Sequence, residues 1–197
     1  MLKNIAFDFG NVLYRYEPDY LLSCFFDSAE DVRAAKSVIY REWHKLDEGT
    51  VDYEAYVAET EALLPVRLRE PARKFLYGWH RCEPPMEQTW ALAARLKARG
   101  YGVYLLSNAP VTFASELDIY PILRIFDGLV VSGPIQLVKP NVEIFQHLLD
   151  KYGLKAEESL FVDDLEVNAE GAQKCGMHGY VYDGDADKLL SHIESLS

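Results

Sequence analysis

The chain has 197 residues, enough for one α/β core with a smaller inserted lobe. Hydrophobic residues make up 49% and charged residues 26%, a balance that excludes a disordered chain, and no apolar run approaches the roughly 20 residues of a membrane helix. The formal charge of −11, from 20 basic and 31 acidic side chains, repels phosphate backbones and argues against nucleic acid as a partner.

Met1-Leu2-Lys3-Asn4 leads into a short strand-like segment at residues 5–9, with no secretory cleavage site behind it. From residue 14 to 85 no convincing strand appears. This stretch is rich in Tyr, Trp, Arg and Glu, with helix-like segments at 29–43, 53–63 and 70–79. It is too long for a strand–helix connection, so an inserted helical lobe is the economical reading. Met86, Trp90, Ala93 and Leu96 then recur at helical spacing, with basic residues near the end and Gly100 beyond it. Short apolar runs follow at 103–106, 129–131, 160–162 and 180–182, as expected of strands buried on both faces. Between them, Pro140 suits a helix start continued by Ile144, Phe145, Leu148 and Leu149 and stopped by Gly153. Leu165, Ala169 and Ala172 outline another helix, ended by Gly176.

This alternation predicts an α/β fold: a Rossmann-like core with a parallel sheet, formed by residues 1–13 and 86–197, and a small α-helical cap, residues 14–85. The three cysteines, Cys24, Cys82 and Cys175, are odd in number and lack ligand spacing. They read as reduced, core-filling thiols of a cytoplasmic protein.

Four segments sit at strand ends, where ligands bind in open α/β sheets. In Phe7-Asp8-Phe9-Gly10-Asn11, a carboxylate at the tip of an apolar strand is costly unless paired or bound to a metal. Asp8 could attack phosphorus, or it could cap the following turn. In Leu106-Ser107-Asn108, a hydroxyl and a free backbone N–H could hold one phosphate oxygen, although Ser-Asn is also a common turn. Lys139, before a helix start, has no helix-dipole reason to stand there. With that helix's N–H groups it would make an anion site; the alternative is a solvated lysine. Asp163 and Asp164 repel each other unless a cation neutralises them, and hard carboxylate oxygens suit Mg²⁺. Helix capping explains one of them and not both.

In order and spacing, Asp8, Ser107, Lys139 and Asp163-Asp164 resemble motifs I to IV of the haloacid dehalogenase-like hydrolase superfamily, with the insert where that family places its helical cap. The resemblance covers essentially the whole chain. It implies a phosphomonoester hydrolase that works through an aspartyl-phosphate on Asp8. Mg²⁺ would be held by Asp8, the Gly10 carbonyl and Asp164, with Asp163 bound directly or through water. Ser107, the Asn108 backbone and Lys139 would hold the phosphoryl oxygens, and Asn168 would order the motif IV loop. An acidic surface repels a phosphorylated substrate, so positive charge, including the metal, must be concentrated at the site.

One position departs from the pattern. Many phosphatases of this superfamily carry a second Asp two residues after the nucleophile, to protonate the leaving alcohol; here Gly10 has no side chain. Three readings follow. The favoured one is a phosphatase for a small metabolite with a relatively acidic leaving group, a sugar phosphate first among them. The second is a 2-haloacid dehalogenase, although that branch needs no Mg²⁺ and favours Tyr at this place. The third is a non-catalytic phosphate-binding module. Glu17, Asp19, His44 and Glu166 are candidate substitutes for the missing acid, each more simply a surface or capping residue, and His80 and His147 read as structural. In the cap, Trp43, Tyr53, Tyr56 and Trp79 could line a pocket, with Arg41, His44 and Lys45 as polar contacts to substrate.

Overall fold

The computed structural model describes residues 1–196. Five parallel strands form one sheet in the order β3-β2-β1-β4-β5: β1 (Asn4–Phe7), β2 (Gly102–Ser107), β3 (Gly128–Val131), β4 (Ser159–Asp163) and β5 (His178–Val181). Ile5 pairs with Val103 on one side and Leu160 on the other, which puts β1 at the centre. Alternate residues serve opposite faces. Ile5, Phe7, Val103, Leu105, Leu160 and Val162 join one apolar cluster, and Ala6, Tyr104, Leu106 and Phe161 join the other. Burial on both sides is why the runs in β1, β2 and β4 are continuously apolar, whereas the edge strand β5 is only partly buried.

Helices α6 (Glu87–Ala98) and α11 (Ala186–Ser195) cover the first face through Leu92, Leu96, Leu189 and Ile193. Helices α9 (Val142–Tyr152) and α10 (Glu166–Lys174) cover the second through Ile144, Phe145, Leu148 and Ala172. Pro140 does not open α9 as expected: the helix starts at Val142 with Asn141 as its cap, and the Lys139–Pro140 peptide is cis. Gly153 does end it, at φ +65°.

Between β1 and α6 the chain builds α1 (Pro18–Ser23), α2 (Ala29–Ile39), α3 (Trp43–Asp47), α4 (Tyr53–Leu63) and α5 (Val66–Gly78). No strand forms there. Two details differ from expectation. The first helix-like stretch breaks at Tyr40, leaving α3 separate, and α5 begins four residues earlier and carries Pro71 inside its first two turns. The helical segment leaves and re-enters the core side by side. Tyr14 pairs antiparallel with Pro85, Arg15 N–H bonds the Pro84 carbonyl at 2.8 Å, and Met86 N–H and Trp90 Nε1 both donate to the Leu13 carbonyl.

Cys24 is exposed rather than core-filling, with its sulfur donating to the Tyr20 carbonyl, and Cys82 and Cys175 are half-buried. All three cysteines are free thiols. Among the described residues no helix is long and apolar enough to cross a membrane.

Candidate active site

All four segments converge at the carboxyl end of the sheet. Asp8 continues β1 by one residue, its N–H bonded to the Val162 carbonyl at 2.8 Å, so its buried side chain emerges at the sheet's edge. The chain then turns sharply through Asn11, which adopts φ 55°. A short polar side chain tolerates that conformation. Asn11 holds the turn with both ends of its amide: Oδ1 accepts from Tyr16 N–H and Nδ2 donates to Asp164 Oδ2, each at 3.0 Å. Gly10 leaves room for its neighbour, because a Cβ there would stand 3.3 Å from the Tyr16 Cβ.

Lys139 is buried, not solvated. Its Nζ donates to Asp8 Oδ1 at 2.6 Å and to Asp163 Oδ2 at 2.7 Å, over the face of Phe161. The loop that carries it is gripped by Asn108, whose amide accepts from Lys139 N–H at 2.9 Å and donates to the Lys139 carbonyl at 3.0 Å. Sequence reasoning assigned the Asn108 backbone to substrate and missed this side-chain clamp. On the far side, Gly171 of α10 lets that helix touch the same loop; a Cβ there would lie 2.5 Å from the Pro140 carbonyl oxygen.

The two motif IV carboxylates are not equivalent. Asp163 is fully buried and saturated: Oδ1 accepts from Leu165 N–H and Asn168 Nδ2, and Oδ2 from Lys139 and Asn168. Asp164 is half-buried and accepts one side-chain hydrogen bond, from Asn11. Oxygens from Asp8, Asp163 and Asp164 all lie within 4.8 Å of one another. Three carboxylates face one ammonium, so the donor set fits a hard divalent cation, with Asp8 and Asp164 offering uncommitted oxygens.

Burial pushes the Asp8 carboxyl up to about 7; Lys139 pulls it down and Asp163 pushes it further up. Burial also raises Asp164. For Lys139, burial pulls downward but Asp8 and Asp163 outweigh it, so its ammonium is held above its ordinary range. A carboxyl whose pKa is higher in the folded state binds protons more tightly there. Its stabilising contribution is complete below the unfolded value and is lost as pH rises through the folded one. The metal-free protein is therefore expected to lose stability between about pH 4 and pH 7. Urea midpoints across that range check this. Asp8→Asn should flatten the slope, as should Mg²⁺; a slope unchanged in the variant would show that Asp8 does not cause it.

Above Asp8 opens a cavity of about 380 Å³. Asp8, Gly10, Ser107, Asn108, Lys139, Asp164 and Asn168 line its floor, while Tyr16, Trp43, Asp47, Trp79, Glu83 and Phe113 form its walls. Trp43 and Trp79 thus reach the cavity as expected. Tyr53 and Tyr56 do not: their hydroxyls bond the Leu76 and Ile39 carbonyls inside the helical segment. Arg41 is spent on Val38, Thr60 and Glu59, Lys45 on Glu42, and His44 is exposed, so none of these three lines the cavity. Glu17 pairs with Arg15 and Asp19 with Lys36 at the surface, Glu166 is exposed, and His80 contacts Glu116. His147 also lies outside the lining. The residues missed were Asp47 and Glu83. Both are kept from the usual carboxylate range by burial, which raises each well above it.

Comparison with known proteins agrees with this architecture. The chain is 26% identical over 90% of its length to a sesquiterpene phosphatase, astK, from Aspergillus oryzae, covering 88% of that protein. It is 26% identical to D-ribitol-5-phosphate phosphatase of Bacteroides thetaiotaomicron, over 95% of each chain. In fold it resembles the HAD family enzyme bt-2542 of Bacteroides thetaiotaomicron, solved with magnesium and inorganic phosphate. That likeness has a TM-score of 0.71 and 19% identity, over 93% of this chain and 95% of that one. The model of the haloacid dehalogenase-like hydrolases matches residues 2–176, and the chain belongs to that family of enzymes.

Proposed function

We propose that the protein is a magnesium-dependent phosphomonoester hydrolase that acts on a small hydroxylated metabolite, such as a sugar or polyol phosphate, through an aspartyl-phosphate on Asp8. The observation that carries this reading is the meeting of Asp8, Lys139 and Asp164 in the lining of one cavity. Residues 14–85 act as the cap over a core made of 1–13 and 86–197. Two relatives matched over most of their length are phosphatases by name.

In this reading one Asp8 oxygen, oriented by Lys139, attacks phosphorus. Ser107, the Asn108 backbone and Lys139 hold the phosphoryl oxygens, so positioning and electrostatics do most of the work. Asp8, the Gly10 carbonyl and Asp164 would hold Mg²⁺, which supplies neutralisation of the developing charge when bound. Asp163, with both oxygens already engaged, acts through Lys139 or a bridging water. Asn168 holds Asp163 in turn. The aromatic walls suit the apolar face of a ring or chain, and Glu83 with the Trp79 indole suits its hydroxyls.

Dehalogenation fits less well. Displacing halide from carbon requires no cation, and this site sets three carboxylates against one lysine. Hydrolysis of para-nitrophenyl phosphate with and without Mg²⁺ separates the two. Turnover is expected with Mg²⁺ and is expected to vanish in excess EDTA. Persistent turnover in EDTA would count against the metal, and halide release from 2-haloacids without phosphatase activity would replace the reading.

A further inference from the structure

Among the described residues, three buried side-chain polar atoms have no hydrogen-bond partner: Asp47 Oδ1, Trp79 Nε1 and Glu83 Oε1. Folded proteins leave few such atoms, and each requires a reason. Here all three residues line the same cavity, the one above Asp8. A ligand bound in that cavity would supply the missing partners. The reaction also lacks a group: with Gly10 in place of an acidic residue, the motif I loop has nothing to protonate a leaving oxygen.

We propose that Asp47, from the cap, is the acid–base catalyst of this hydrolase. The proposal rests on the phosphatase reading above. As Asp8 forms its bond to phosphorus, the Asp47 carboxyl gives its proton to the ester oxygen and the P–O bond to the leaving alcohol breaks. The Asp47 carboxylate then takes a proton from water, whose oxygen bonds to phosphorus. The bond from phosphorus to Asp8 breaks, inorganic phosphate leaves, and both carboxyl groups return to their starting states.

Placement distinguishes Asp47 from Glu83. Asp47 lines the cavity together with Asp8 and Lys139, and Ser132 ties its backbone to Ala109, next to the Ser107 strand end. Glu83 is instead tied to the Tyr120 hydroxyl, which donates to its Oε2 at 3.1 Å. Asp47 is also held in place. The Trp43 side chain hydrogen-bonds its carboxyl. Its backbone carbonyl accepts from Ser132 Oγ at 2.5 Å, and the same hydroxyl receives Ala109 N–H at 2.9 Å, two residues beyond Ser107. Ser132 opens α8 (Ser132–Ile135), and Gln136 just after it donates to the Gly49 carbonyl at 2.9 Å. Gly49 turns at φ +64° with no space for a side chain, because a Cβ would fall 2.0 Å from the Gly133 carbonyl oxygen. The last turn of α3 is thus seated on the core beside the phosphate-binding strand end.

Burial raises the Asp47 carboxyl well above the usual range, and Asp8 and Glu48 reinforce this while Lys139 and Trp43 oppose it. Across the cavity stands Glu83, also raised, and the core loops packed on α3 present Ser132 and Asn108, which do not titrate near neutrality. A proton held at neutral pH is what a general acid needs at the start of the reaction.

The test compares Asp47→Asn with wild type on para-nitrophenyl phosphate and on an alkyl phosphate, glycerol phosphate, in Mg²⁺. An acidic phenol leaves without help and an alcohol does not. The variant is expected to lose ~10²–10⁴-fold in turnover of the alkyl ester. It should release one equivalent of nitrophenol per enzyme in a burst, followed by slow steady-state turnover as the phospho-enzyme waits for a base. Asp47→Glu should recover part of the alkyl activity. Glu83→Gln should raise KM for the hydroxylated ester without a burst. Equal losses on both esters without a burst, or no loss, would overturn the role of Asp47 while leaving the phosphatase intact. If wild type hydrolyses neither ester, the phosphatase reading and this inference fall together.

Discussion

Replacing Asp8 by Asn is expected to cut turnover by at least ~10³-fold while the fold survives. The amide has the shape of the carboxyl, and Lys139 keeps its second partner, Asp163 at 2.7 Å. Burial already disfavours the Asp8 charge, so removing it relieves a desolvation cost instead of adding one. The loss would therefore be chemical. Steady-state rates on para-nitrophenyl phosphate, paired with thermal melts of both proteins, check both halves. Phosphate trapped on wild type by acid quench and located by mass should map to Asp8. A variant that keeps a tenth of the rate, or a label on another residue, would remove Asp8 from the role of nucleophile.

Lys139→Met should have the largest effect on stability. The ammonium is 1% exposed and pairs with two carboxylates that are 12% and 0% exposed. Removing one member of a buried ionic cluster leaves the others uncompensated and typically costs about 3–5 kcal/mol. Three acidic groups would then share the site with no cation from the protein. Urea unfolding should show the loss, and Mg²⁺ should recover more stability in the variant than in wild type, because it would replace a missing charge. A variant as stable as wild type without metal would mean that the carboxylates are already neutral. Activity should fall as well, since the same ammonium orients Asp8.

The sequence disclosed the sheet and its helices far better than the helical segment between β1 and α6. Five short apolar runs became five strands, most of them because a strand buried on both faces leaves a continuous signal; β5, at the sheet edge, is only partly buried. The alternation with helices pointed to a parallel sheet, while the strand order β3-β2-β1-β4-β5 came from the structure. The motif residues were legible for a related reason. Asp8, Ser107 and Asp163-Asp164 are polar groups at the tips of apolar strands, and Lys139 stands in the loop before α9, a set that the structure brings together at one end of the sheet. The helical segment gave less away. α3 is five residues long, and nothing local separates Trp43, which reaches the cavity, from Tyr56, which packs inside. Arg41 and Lys45 looked like substrate contacts because charge beside tryptophan suggests a pocket. Their partners Glu59 and Glu42 neutralise them, and only the three-dimensional fold brings Arg41 to Glu59. Asp47 and Glu83 were indistinguishable from other acidic residues in an acidic chain. Their signal is burial without a partner, a property of the folded molecule. α11 was also missed, although Leu189 and Ile193 lie four apart on one face.

Leu13 and Met86 are 73 positions apart in the chain (86 − 13) and joined by one hydrogen bond. Everything between them is a detour that begins and ends at one point on the core. Such a detour can grow, shrink or be traded for another without moving the strand tips that surround Asp8. Inheritance can then act on the two parts at different speeds: the strand tips are constrained by one another, while the detour answers to what must fit beneath it and to the seat of α3 on Ser132 and Gly133. An exchange of 14–85 between relatives is the corresponding laboratory operation, and its junctions are already marked by the Tyr14–Pro85 pairing.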